Sequence, residues 1–133
     1  MLESNIKRIT MQAATAYGSD TLTGTGGTTG YQRFCKVDSA GLAVRSGSGE
    51  MAIGVMEGKP LAGGDSLPVK VDGQMKVMGG GTIAIGARVM SDASGRCVAA
   101  TGATAFVLGI ALTAGVIDKM LVIDAQAPTK FVT

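Results

Sequence analysis

The chain has 133 residues, 46% hydrophobic but only 4% aromatic, with a net charge of +2 and no histidine. That length suits one domain with a real core and no need of disulfides, and the core must be built from Val, Ile, Leu, Met and Ala. The 12 basic residues are scattered, with Lys7-Arg8 the only adjacent pair, so there is no basic stripe of the kind nucleic acid requires.

Residues 1–30 read as an extended arm. From Ile6 to Tyr17 the apolar residues keep no sustained period, and Gly18 to Gly30 is dominated by Gly and Thr. Such a stretch buries little by itself and loses much entropy on ordering, so alone it is expected to be flexible: a bare linker, or an arm pinned by a neighbouring subunit or a large assembly. The arm's apolar anchors are expected to be Ile6, Ile9, Tyr17 and Leu22. From Tyr31 the pattern turns to strands: Gln32 to Val37, Leu42 to Arg45 and Met51 to Met56 are short apolar or alternating runs. Val69 to Val71 and Gln74 to Met78 flank Asp72-Gly73, which predicts a tight type I′ hairpin. Gly79 to Gly81 interrupts the pattern before Thr82 to Ile85. Arg88 to Met90 and Arg96 to Ala99 flank a turn at Ser91 to Gly95, and Ala105 to Leu112 and Lys119 to Asp124 complete a body spanning 31–125. Residues 126–133 form a short polar tail.

Convincing helical periodicity never extends past about three turns, and Gly, Thr and Val outnumber good helix formers. Short helices near Met1 to Tyr17 or Gly79 to Gly86 stay open. The pattern predicts an all-β protein, a small barrel or sandwich of short strands behind an N-terminal arm. No apolar run is long enough to span a membrane. The N-terminus carries no signal-peptide core, which predicts a protein made and kept in a cytoplasm, or released by lysis.

The body repeats itself. Asp38-x-x-Gly41-x-x-Val44 recurs as Asp92-x-x-Gly95-x-x-Val98, 54 residues later, and Ile53-Gly54-Val55 recurs as Leu108-Gly109-Ile110, 55 residues later. A period of about 55 residues is too long for a solenoid turn and suits a duplicated set of strands. A sparsely charged surface, 17% against about 25% in average chains, favours coverage by copies of the chain or by a partner.

Nothing reactive is placed within this scaffold. The absence of histidine removes histidine triads, histidine metal sites and the commonest general base. Cys35 and Cys97 occupy non-equivalent repeat positions and read as small buried hydrophobes. The carboxylates stand singly, mostly in turns, where Asp accepts backbone hydrogen bonds. Gly24-Thr-Gly26-Gly27-Thr-Thr-Gly30 fits neither phosphate-loop template, since Thr29 stands where GxGxxG needs Gly and no Gly-Lys-Ser/Thr follows. Lys76 in Gln74-Met-Lys-Val-Met78 resembles the modified lysine of biotinyl and lipoyl carrier domains. It lies beyond the predicted turn, however; the usual acidic residue before the Ala-Met-Lys-Met core is absent, and Val77 replaces the second Met. No catalytic residue, cofactor or metal ligand is expected.

Met51-Ala-Ile-Gly-Val55, the Gly-Gly-Asp65 turn, Val69-Lys-Val-Asp-Gly73 and Ile85-Gly-Ala-Arg-Val89 together resemble the capsid cement (decoration) proteins of tailed bacteriophages. Ser91 to Gly95 leading to Val107-Leu-Gly-Ile-Ala-Leu112 and Leu121-Val-Ile123 extends the resemblance over roughly residues 31–124. It implies a non-enzymatic virion protein on the outer capsid surface that clamps neighbouring major capsid protein subunits. It also implies self-association as a homotrimer or a dimer, with no direct contact to nucleic acid or membrane. The alternative is another phage structural subunit: a head–tail joining, tail or fibre-base piece.

Overall fold

A computed structural model describes residues 7–12, 32–57, 66–102 and 105–130. Among these there is no helix. Nine strands follow one another: β1 (Lys7–Gln12), β2 (Phe34–Val37), β3 (Ala43–Arg45), β4 (Gly54–Met56), β5 (Ser66–Met78), β6 (Arg88–Ser91), β7 (Cys97–Ala99), β8 (Phe106–Ala111) and β9 (Met120–Lys130). All the pairings between these strands are antiparallel. They form two five-strand sheets packed as a small sandwich, as the all-β expectation required. The first has the order β3-β2-β4-β5-β1, the second β7-β6-β8-β9-β5.

The duplication is structural and holds residue by residue. Cys35 pairs with Arg45 and Gly54 in the first repeat, and Val89 pairs with Ala99 and Gly109 in the second. Val55 opposite Lys70 becomes Ile110 opposite Asp124. The two Asp-x-x-Gly motifs build the same loop. Asp38 Oδ1 accepts from the amides of Ala40 and Leu42, and Asp92 Oδ1 accepts from those of Ser94 and Arg96, at 2.8–2.9 Å. Gly41 and Gly95 close these loops with φ of 81° and 77°, a left-handed conformation that glycine adopts without steric cost.

β5 departs from the sequence expectation. Asp72-Gly73 makes no hairpin; the strand runs unbroken from Ser66 to Met78. Gly73 has φ of 87° and marks the point where β5 leaves the first sheet, paired with β1 and β4, and enters the second, paired with β9. Conformational freedom at this Gly re-aims the strand instead of reversing it, as glycines do at sheet corners. Alternation persists across the bend, but its destination changes. Leu67 and Val69 feed a smaller cluster with Cys35, Ala43 and Met56; Met75 and Val77 feed the main core with Phe34, Val55, Leu108, Leu121 and Ile123.

Thr82 to Ile85 also differs from expectation. It forms no strand, only a single bridge from Ile83 to Gly115. β9 continues to Lys130, past the Lys119–Asp124 run anticipated from the pattern.

Within the first sheet β1 stands where the second half of β5 stands in the other. Ile9 faces Val69 as Met75 faces Ile123, and Met11 faces Leu67 as Val77 faces Leu121. The first repeat thus takes its fifth strand from the N-terminal segment, and the second takes it from the first repeat.

Candidate functional site

Among the described residues no group of His, Cys, Asp or Glu could hold a metal ion. Cys35 and Cys97 are fully buried, and burial pushes the Cys35 thiol up to about 12 and raises the Cys97 thiol as well. Neither is a nucleophile at neutral pH. Lys76 projects from the middle of a paired strand opposite Val122, so the hairpin tip that a carrier lysine occupies is not formed. A shallow groove beside it is lined by Gln32, Glu57, Lys70, Gln74 and Met75, with Glu57 and Lys70 ion-paired at 3.7 Å.

Polar chemistry is spent on joining the two repeats. Arg33, just before β2, is completely buried and donates from Nη1 to the carbonyl of Ser94 at 3.1 Å. Phe34 N–H donates to Gly95 O at 2.8 Å. Around them Asp92 Oδ2 accepts from Arg96 Nε at 2.9 Å, and Arg96 Nη1 donates to Asp118 at 3.1 Å. Burial, then the nearby Arg45 and Arg96, pull Arg33 down to about 10, while Asp92 and Asp118 oppose that shift, so the guanidinium stays charged at neutral pH. The arrangement is a structural clamp between the repeats.

What remains is surface. Ile85, Leu112, Val116 and Ile117 are 40–70% exposed on the two loops that the Ile83–Gly115 bridge ties together. Four large apolar side chains at one end of a sheet form the kind of patch that marks contact with another protein. The sequence pattern did not single them out, because alternation reports which residues suit a strand and not which loops stay uncovered. Val37 is likewise exposed, at the end of β2.

Of the four expected arm anchors, the structure describes Ile9 alone. It lies on β1 opposite Val69 and is 42% exposed, whereas Met75 at the equivalent place is buried. Ile6, Tyr17 and Leu22 lie outside the described residues. β1 pairs with β5 of its own chain along one edge.

The structure is similar to the N base of the head fibre protein gp8.5 of bacteriophage phi29, with a TM-score of 0.65, 13% sequence identity, and coverage of 94% of this chain and 98% of that one. At that identity the likeness is one of fold. No curated protein sequence matches significantly. The phage cement protein family matches residues 6–119, taking in β1, the Arg33 clamp and both Asp-x-x-Gly loops, and the chain therefore belongs to that family of phage structural, capsid-associated proteins.

Proposed function

We infer that the protein binds the outer surface of a phage head and clamps neighbouring major capsid protein subunits, stabilising the shell by binding and not by catalysis. Membership of the cement family carries this reading. It is supported by a body whose buried polar groups serve its own fold and whose distinctive surface features are apolar and solvent-facing. Many weak contacts suffice for such a role, because copies anchored to one shell act together. Self-association as a trimer, or as a dimer, would cover the apolar patch around Ile85 and Val116.

The N-terminal arm is proposed as the capsid-gripping element, with Ile6, Ile9, Tyr17 and Leu22 as apolar anchors. β1 supports this: its pairing to β5 uses one edge, and a strand from the capsid could add to the other. Ile9 is exposed where its counterpart in the second repeat is buried. Deleting residues 1–30 should abolish retention on capsids; unchanged retention would refute the arm's role.

A second reading, the base of a head fibre, is favoured by the likeness to the phi29 fibre base. Quantitative mass spectrometry of purified virions separates the two. A ratio to the major capsid protein near one, one-half or one-third supports a shell-coating cement. A handful of copies supports a fibre base or joining piece, and absence from virions sinks both.

A further inference from the structure

The second half of β5 carries an open backbone edge. Leu112 N–H donates to Val122 O at 2.8 Å, and Val122 N–H donates to Thr113 Oγ1 at 3.0 Å, so both backbone groups of Val122 face β8 and away from β5. Lys76 lies opposite Val122. When one member of an antiparallel pair turns its backbone groups away from the other, its partner does the same, so the N–H and C=O of Lys76 point outward from β9. By the two-residue alternation, so do those of Gln74 and Met78. Met78 bears this out, since its N–H donates to Gln32 O at 2.9 Å. Among the described residues nothing pairs with Gln74 or Lys76 on that side. Beside the edge runs the groove lined by Gln32, Glu57 and Lys70. Glu57 is held there by Lys70, whereas Lys76 is exposed and has no ion pair among the described residues.

We propose that the Gln74–Met78 edge receives an extended segment of a capsid-shell subunit as an added strand, with an acidic side chain of that segment set against Lys76. This rests on the capsid-binding reading above and gives it a contact on the second sheet, away from β1 on the first. The free N–H and C=O groups of Gln74 and Lys76 supply the main-chain bonds, and Lys76 supplies the selectivity. The edge is already ordered, since β9 pairs with it from Gly73 to Met78, so little entropy is lost on this side when a strand docks.

Charge selects the occupant. The outer strands that a second copy could offer are basic: β1 carries Lys7 and Arg8, β3 carries Arg45, and β7 directly follows Arg96. A second β5 would bring Lys76 towards Lys76. Its Gly18 to Tyr31 stretch holds one carboxylate, Asp20, among Gly and Thr. Each of these sets like charge, or almost no opposite charge, against Lys76. A lysine on an open edge also discourages pairing between copies, so the matching strand belongs to a different, acidic surface.

The test is co-sedimentation of the full chain with purified heads that lack it, comparing wild type with Lys76→Arg, Lys76→Glu and Lys76→Pro. Lys76 is exposed, so the arginine and glutamate variants should keep the wild-type melting temperature. Arginine should bind as wild type does, and glutamate should weaken binding about tenfold. Proline removes an outward N–H and leaves the β9 ladder whole, so it should also weaken binding while the fold stands. Should proline unfold the strand, the arginine and glutamate pair decides alone. Equal binding by arginine and glutamate overturns the added strand and leaves the cement reading standing. Loss with glutamate but none with folded proline leaves a charge contact without a strand, and overturns the proposal as well. Wild-type protein that fails to bind heads overturns both readings. A change in self-association instead of head binding on analytical ultracentrifugation places the edge between copies and also overturns the proposal.

Discussion

Gln32 and Gly86 occupy the same place in the two repeats, and both have left-handed backbone. Gln32 has φ of 58° and donates its amide to Met56 O at 2.7 Å; Gly86 has φ of 85° and donates to Ala111 O at 2.8 Å. The fold demands this conformation twice and met it with a glycine once.

A side chain in that region costs roughly 1 kcal/mol. Gln32→Gly should therefore stabilise the protein, by about 0.5 kcal/mol once glycine's greater unfolded freedom is subtracted. Gly86→Ala should destabilise it by about 0.5 kcal/mol by the same two effects reversed, since a Cβ there meets nothing within 4 Å. Urea denaturation of both variants checks the opposite signs.

Gly54 and Gly109 are held to glycine by space. A Cβ on Gly109 would sit 2.5 Å from Asp124 O, and one on Gly54 would collide with Lys70 O. Backbone cannot retreat as a side-chain tip can, so Gly54→Ala and Gly109→Ala should each cost about 2–3 kcal/mol by forcing strands apart. Thermal melting should show the loss in both; a neutral outcome at either would contradict the close strand approach.

The two loop aspartates predict an asymmetry. Both cap two amides, but only Asp92 also holds Arg96, whose side chain is 11% exposed. Asp38→Ala should cost about 1 kcal/mol, and Asp92→Ala about 3 kcal/mol, because it leaves a largely buried cation without that partner. Equal losses by chemical denaturation would argue against the clamp between the repeats.

Glu50 predicts the pH dependence. Its carboxylate accepts from Lys36 Nζ at 2.7 Å and from the Gly47 amide, and these bonds, Lys36 first, hold its pKa below the ordinary 4.5. A carboxylate depressed on folding adds stability above its unfolded pKa and loses it as pH falls through the folded one. Melting temperature measured from pH 6 down to about pH 3 should fall less steeply in Glu50→Gln than in wild type. The group is well exposed, so the effect is small.

The buried thiols should be silent. Native protein at pH 8 should not react with a thiol-specific chromogen within minutes, and urea should release both Cys35 and Cys97. Rapid labelling of the native state would mean that one of the two clusters opens readily.

The duplication and most of the strands around it were legible in the chain. They rest on local features: alternation and Asp-x-x-Gly. Asp72-Gly73 was misread because a positive φ serves both a tight reversal and a change of sheet, and only the partners, β1 and β4 before it and β9 after it, tell which. Arg33 was invisible for a related reason: its importance comes from Ser94, 61 residues away. The exposed apolar loops were missed because solvent exposure at Ile85 and Ile117 is decided by what the rest of the fold leaves open.

That β5 belongs to both sheets has a mechanical consequence. Tension applied to the first sheet passes along covalent backbone into the second, where Gly73–Met78 are held against Met120–Ala125. Pulled along its own length, that ladder resists in shear, with its bonds strained together instead of opening one by one. Opposing pulls on the two sheets would therefore have to break that ladder as a whole before the halves came apart.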